Sequence, residues 1–255
     1  MRKLLALAAT VSLLALTPTP VATQDDLGVA SKTGVVVSSS DLAADVGAMI
    51  LNKGGNAVDA AVATAFAMAV TSPSNGNIGG GGFMVVRLPN GTATTFDYRE
   101  MAPGKSTPTM YLKANGDIDM SLTQQGYLAP GVPGTVRGLS MAHKKFGKLA
   151  WKDVVLPAAE LAGKGFKLSR SLAAGLNSEV KGRMKTFPAS VAAYGKPGGA
   201  DWAEGDTIVL GDLSKTLSAI ATDGPDAFYT GWIADRIAED MAKHGGIITK
   251  ADLAN

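Results

Sequence analysis

Cysteine is absent from this 255-residue chain, and histidine nearly so, with only His143 and His244, far apart in the sequence. The missing cysteine rules out a disulfide framework, a thiol nucleophile, a thiolate metal site and a lipid anchor on an N-terminal cysteine. Two isolated histidines give neither a His-x-x-His spacing nor an acid–histidine cluster, so no metal and no cofactor is expected. Both stand near expected helix ends, where an imidazolium suits the helix dipole. Aromatic residues make up only 6% of the chain, and no basic run is interleaved with them, so nucleic acid is not an expected partner. No Gly-x-Ser-x-Gly elbow is present. Long apolar runs are missing too, since the Ala57–Val70 block falls short of the ~20 residues that cross a bilayer.

What is present suits a sizeable core: 46% hydrophobic residues and 31 glycines. Arg2 and Lys3 precede an apolar run from Leu4 to Leu16, which reads as a secretory signal cleaved after Ala22 (residues 1–22). The expected location is periplasmic or secreted, with no membrane contact once the signal is gone. Removing Arg2 and Lys3 from the 24 basic residues leaves 22, which balances the 22 acids. A polar linker over residues 23–33 leads to one α/β domain over 34–255.

Within that domain Gly34–Val37 reads as a short buried strand. Ser40 can cap a helix with Leu42, Val46, Met49 and Ile50 on one face, stopped at Gly54-Gly55. Asn56 restarts a helix with Asp59 in its first turn. That helix, reaching about Val70, is apolar on nearly every side and must be buried all round. Residues 71–82 are irregular and end in four glycines, Gly79 to Gly82. Phe83–Leu88 and Thr92–Tyr98 form a hairpin about Pro89-Asn90-Gly91. Further helices are expected up to Phe146, then over 151–162, 169–180, 213–221 and 231–243, with a long connection over 181–206. Thr249-Lys250-Ala251-Asp252 has the form of a capping box three residues before the last residue, which suggests that the natural protein continues.

The glycine run is not a phosphate loop, because no Lys-Ser/Thr follows and the next element is a strand. Backbone must instead come close to something there, either a ligand or another segment, or lend N–H groups to an anion. Arg99 closes the hairpin between Asp97 and Glu100. It is either a solvated ion pair or a guanidinium held ready to grip a carboxylate in bidentate fashion.

Several motifs, taken in order, resemble the γ-glutamyltransferase (glutathione hydrolase) family. They are Lys53-Gly-Gly-Asn-Ala-Val-Asp-Ala-Ala61, Ile78-Gly-Gly-Gly-Gly-Phe-Met84, Asp97-Tyr-Arg-Glu-Met-Ala-Pro103, Gly131-Val-Pro-Gly-Thr135, His143-Lys-Lys-Phe-Gly-Lys-Leu149, Gly224-Pro-Asp-Ala-Phe-Tyr229 and Gly246-Ile-Ile-Thr-Lys250. The resemblance implies an N-terminal-nucleophile hydrolase with an αββα sandwich, made as a precursor that cleaves itself into large and small subunits. It implies a threonine nucleophile whose own α-amine is the base. That threonine lies beyond Asn255, so this chain corresponds to an incomplete large subunit and is expected to be inactive alone. Thr94-Thr95, inside the second strand, is rejected as the cleavage site. Arg99 matches the residue that binds the α-carboxylate of the γ-glutamyl group, and Glu100 the acid beside it. The implied partners are a glutathione-like γ-glutamyl compound, an amino-acid or peptide acceptor, and the small subunit. Two alternatives stay open: a related acylase acting on a glutaryl amide or poly-γ-glutamate, and a non-catalytic scaffold that keeps the fold.

Overall fold

The computed structural model describes residues 30–255, so the signal-like segment 1–22 and linker residues 23–29 lie outside the described residues. The chain divides into two units, Met1–Val35 and Val36–Asn255. In the first, the Ser31 hydroxyl accepts from the Thr33 and Gly34 N–H groups at 3.2 and 3.3 Å.

The second unit begins with α1 (Asp41–Asn52), capped by Ser40, whose Oγ accepts from the Ala43 N–H. Gly54, at φ +87°, turns the chain out of it. Asn56 then starts α2 (Ala57–Thr71). Its side chain accepts from the Val58 and Asp59 N–H groups, and Asp59 accepts in return from the Asn56 N–H at 2.8 Å. As its uniform apolarity requires, α2 is buried on nearly all sides, with Val62, Phe66 and Val70 fully enclosed.

The hairpin follows as β1 (Phe83–Arg87) and β2 (Ala93–Asp97), antiparallel, in the register Phe83↔Asp97 to Arg87↔Ala93. Its turn is set by Gly91 at φ +86°. Beyond a short helix, α3 (Met120–Gln124), come α4 (Thr135–Phe146) and α5 (Trp151–Lys164). The strand β3 (Phe166–Lys167) pairs with β4 (Thr207–Ile208), and between them lie α6 (Arg170–Lys181), a 3-10 turn (Arg183–Thr186) and α7 (Pro188–Tyr194). The chain closes with α8 (Gly211–Asp223), α9 (Asp226–Tyr229), α10 (Trp232–Lys243) and α11 (Lys250–Ala254). Helices α1, α5 and α4 pack around α2, and α8 packs on α5. Trp151 joins these elements, with its ring edge-on to Phe66 at 5.6 Å and its indole N–H donating to the Ile220 carbonyl at 2.8 Å.

The expected strand at 34–37 does not form. Val35 is 51% and Val37 88% exposed, and among the described residues no strand pairs with them. An apolar run needs a ladder partner to become a strand, and none reaches it here. The inner face of α1 also differs, because Ala43, Gly47 and Ile50 are buried while Leu42 is exposed. The cause is close helix crossing: a Cβ on Gly47 would lie 2.2 Å from Thr64 Oγ1 of α2. Small residues set that contact, which a count of large apolar residues misses. Inside the expected connection at 181–206 a helix forms instead, with Pro188 at the first position of α7. Short helices α3 and α9 are additions to the sequence reading. Thr249 and Asp252 do form their capping box, and it heads the single turn of α11.

His143, in the last turn of α4, also stands beside a buried acid. Asp59 is fully buried and accepts from the Lys148 N–H at 3.0 Å on each oxygen and from the Leu149 N–H at 3.4 Å. His143 Nε2 lies 3.3 Å from Asp59 Oδ1 but is not aligned as a hydrogen bond. One carboxylate therefore ties the start of α2 to the end of α4. Asp59→Ala should strand these buried donors and lower stability by about 3 kcal/mol or more. Denaturant unfolding of the full-length protein measures this, and a loss below about 1 kcal/mol would contradict the role given to Asp59.

Candidate functional site

The site is built outward from the hairpin. Along β2 the side chains alternate, with Phe96 buried and Tyr98 half-buried on the inner face while Asp97 and Arg99 face out. The ladder extends one pair past the strands, since Tyr98 N–H donates to the Gly82 carbonyl at 3.0 Å and Gly82 N–H to the Tyr98 carbonyl at 3.3 Å. The peptide carrying Arg99 is thus fixed to the end of the glycine turn. Asp97 accepts from the Arg99 backbone N–H at 3.0 Å, which curls the chain as it leaves the strand.

The Arg99 side chain is 65% exposed. Its Nε lies 3.4 Å from Glu100 Oε2, and its guanidinium carbon stands 5.9 Å from the centre of the Phe83 ring. These are loose restraints, which leave the terminal nitrogens able to form a bidentate pair with a carboxylate. The structure places Arg99 beside Glu100 on open surface. A recess with Ser40, Thr71, Leu168, Leu172, Leu176 and Tyr194 in its wall contains neither of them.

The glycine turn resolves into separate duties. A Cβ on Gly81 would come within 2.5 Å of the Tyr98 carbonyl oxygen and 2.8 Å of the Glu100 nitrogen. Gly80 instead offers its carbonyl, which accepts from the Gly134 and Thr135 N–H groups at 2.8 and 2.9 Å and so receives the opening N–H groups of α4. Gly79 faces open space. Close approach of backbone to backbone is what the run provides. A second link, paired N–H···O bonds between Met101 and Val132 at 3.2 and 2.8 Å, holds the segment after Glu100.

Sequence reasoning missed Tyr98, which it quoted only as part of a motif. Simple alternation from Phe96 would have put its ring on the inner face, and burial there raises the pKa of its hydroxyl. Among the described residues, no group of three or more His, Asp or Glu side chains is placed to hold a metal. Thr94 and Thr95 are paired with Val86 and Val85 inside the hairpin.

A family profile described as Gamma-glutamyltranspeptidase matches residues 43–255. The chain is 46% identical over 226 residues to the glutathione hydrolase proenzyme of Escherichia coli (strain K12), covering 89% of this chain and 39% of that protein. It is similar in structure to a Helicobacter pylori gamma-glutamyltranspeptidase, with TM-score 0.86 and 45% identity, covering 89% of this chain and 64% of that one. A cephalosporin acylase from Bacillus halodurans matches with TM-score 0.76 and 31% identity over 84% of this chain and 40% of its own. The fold is that of the N-terminal-nucleophile hydrolases, of which these residues form a part. The chain spans about two fifths of the length of such curated relatives.

Gly81→Ala should lower stability by about 1–3 kcal/mol, because its methyl group meets main chain that cannot turn aside. Gly79→Ala should stay within about 0.5 kcal/mol of the parent. Denaturant midpoints of the two variants check this, and equal midpoints would contradict the division of duties.

Proposed function

The chain belongs to the gamma-glutamyltranspeptidase family, and on that premise we propose that the complete protein is an exported γ-glutamyl hydrolase/transferase acting on glutathione-like compounds. The acyl group passes from the leaving amine to a threonine hydroxyl at the start of the small subunit, whose α-amine takes up the hydroxyl proton. Water, or the amine of an amino acid or peptide, then releases it. The nucleophile lies outside this chain, and these residues contribute recognition.

The observation that carries this reading is the placement of Arg99. Its peptide is pinned by the Tyr98–Gly82 pair, while its guanidinium, paired through Nε with Glu100, remains 65% exposed. A γ-glutamyl group ends in an α-carboxylate, the planar partner that a guanidinium fits best. Glu100, 3.4 Å from Arg99 Nε, limits the swing of that side chain. Open surface around Arg99 supports a site whose other walls come from the rest of the precursor. The outward face of the hairpin, where Phe83 is 58% and Val85 73% exposed, supports contact with the small subunit on that side. The signal-like residues 1–22 support export to the periplasm or beyond.

A second reading, an acylase for a related carboxylate-bearing acyl group, is favoured by the likeness to the cephalosporin acylase. Arg99 suits any substrate ending in a carboxylate, so the substrate itself must discriminate. Full-length enzyme should release product from a γ-glutamyl anilide much faster than from a glutaryl anilide; the reverse order would favour the acylase. Arg99→Ala should remove two charge-assisted hydrogen bonds, about 2–3 kcal/mol, and raise KM about 30- to 150-fold. An unchanged KM would refute the carboxylate assignment.

A further inference from the structure

Arg99 is long, exposed and lightly restrained, so where it can reach depends on where its main chain is held. That main chain sits in a slot made of glycines. On one side is the turn, where a Cβ on Gly82 would lie 3.0 Å from the Tyr98 ring. On the other is the start of α4. A Cβ on Gly134 would lie 2.1 Å from the Tyr98 carbonyl oxygen, and one on Gly138 would lie 2.0 Å from Tyr98 Cγ and 2.3 Å from its Cβ. No ordinary side chain tolerates contacts below 3.0 Å.

Gly134 and Gly138 are four residues apart and share one face of the helix. Neither has a positive φ, so space and not backbone conformation calls for glycine at both positions. Gly138 lies inside α4, where glycine costs about 0.5–1 kcal/mol against alanine. That cost is offset here by the seat it makes for an aromatic ring. The Tyr98 hydroxyl adds only a long bond to the Phe83 carbonyl, at 3.3 Å.

We propose that Tyr98 is a positioning residue: its ring, seated between Gly82 and Gly138, sets the height and direction from which Arg99 reaches the substrate carboxylate. This rests on the reading of Arg99 given above. A ring one residue before the guanidinium, locked against a helix, converts packing into binding geometry. Displacement of about 1 Å at such a point is enough to weaken a bidentate pair substantially.

The test uses the full-length, self-processed enzyme and a γ-glutamyl anilide. Tyr98→Ala should raise KM about tenfold while kcat changes less than about twofold, the signature of lost uniform binding. Tyr98→Phe, which keeps the ring, should restore most of the affinity. In an Arg99→Ala background, Tyr98→Ala should add less than about twofold to KM, because both changes remove one interaction. An unchanged KM in Tyr98→Ala, or effects of the two substitutions that multiply in full, would overturn the proposal. Should Tyr98→Ala not accumulate as processed enzyme, Gly82→Ala, which presses on the ring edge alone, is read by the same criteria. If Arg99→Ala raises KM and Tyr98→Ala does not, only the positioning role falls. If Arg99→Ala leaves KM unchanged, the carboxylate reading falls, and the positioning role with it.

Discussion

The Asp59 carboxylate is removed from water entirely, and backbone N–H groups from two distant stretches of chain take the place of its hydration. The Asn56 N–H comes from the start of α2, and the Lys148 and Leu149 N–H groups come from the turn after α4. A buried carboxylate so satisfied cannot shift without stranding its donors, so it ties the start of α2 to the turn after α4. Helix α4 is about 18 Å long at its twelve residues. Its near end is held by the Gly80 carbonyl, and its first two turns carry the glycines against which Tyr98 rests. The restraint that begins at a buried acid in the core therefore ends one residue from Arg99.

On the proposed function, this is how a surface residue would recognise a substrate without a cleft of its own. The Arg99 main chain is held by its neighbours, and the exposed side chain would be ordered only when a carboxylate bound. The entropy lost on binding would then be confined to a few side-chain torsions. Glycines in the turn and in α4 serve the same end by letting backbone and ring approach more closely than any Cβ would permit.

Local chemistry was legible in the sequence. The caps at Ser40, at Asn56 with Asp59 and at Thr249 with Asp252, and the turn at Gly91, each depend on residues within a few positions, and each is formed. The uniform apolarity of α2 led directly to its place in the core. Features that depend on distant partners were not legible. Val35 and Val37 have the composition of a strand but no ladder to join among the described residues, and the burial of Gly47 depends on Thr64 in another helix. The stretch 181–206 looked like a connection because the use of Pro188 as a helix start depends on the chain around it. Arg99 and Glu100 were singled out from their neighbours and from family motifs, whereas the role proposed for Tyr98 comes from Gly138, on an element no local pattern connects to it.

The central claim is that Arg99 meets the substrate carboxylate from a fixed seat. A crystal structure of the full-length, processed protein with bound glutamate tests it most directly. The account expects both α-carboxylate oxygens within about 3 Å of the Arg99 guanidinium nitrogens, with the Tyr98 ring still lodged between Gly82 and Gly138. A glutamate whose α-carboxylate is held by other groups, with Arg99 turned to solvent, would contradict it.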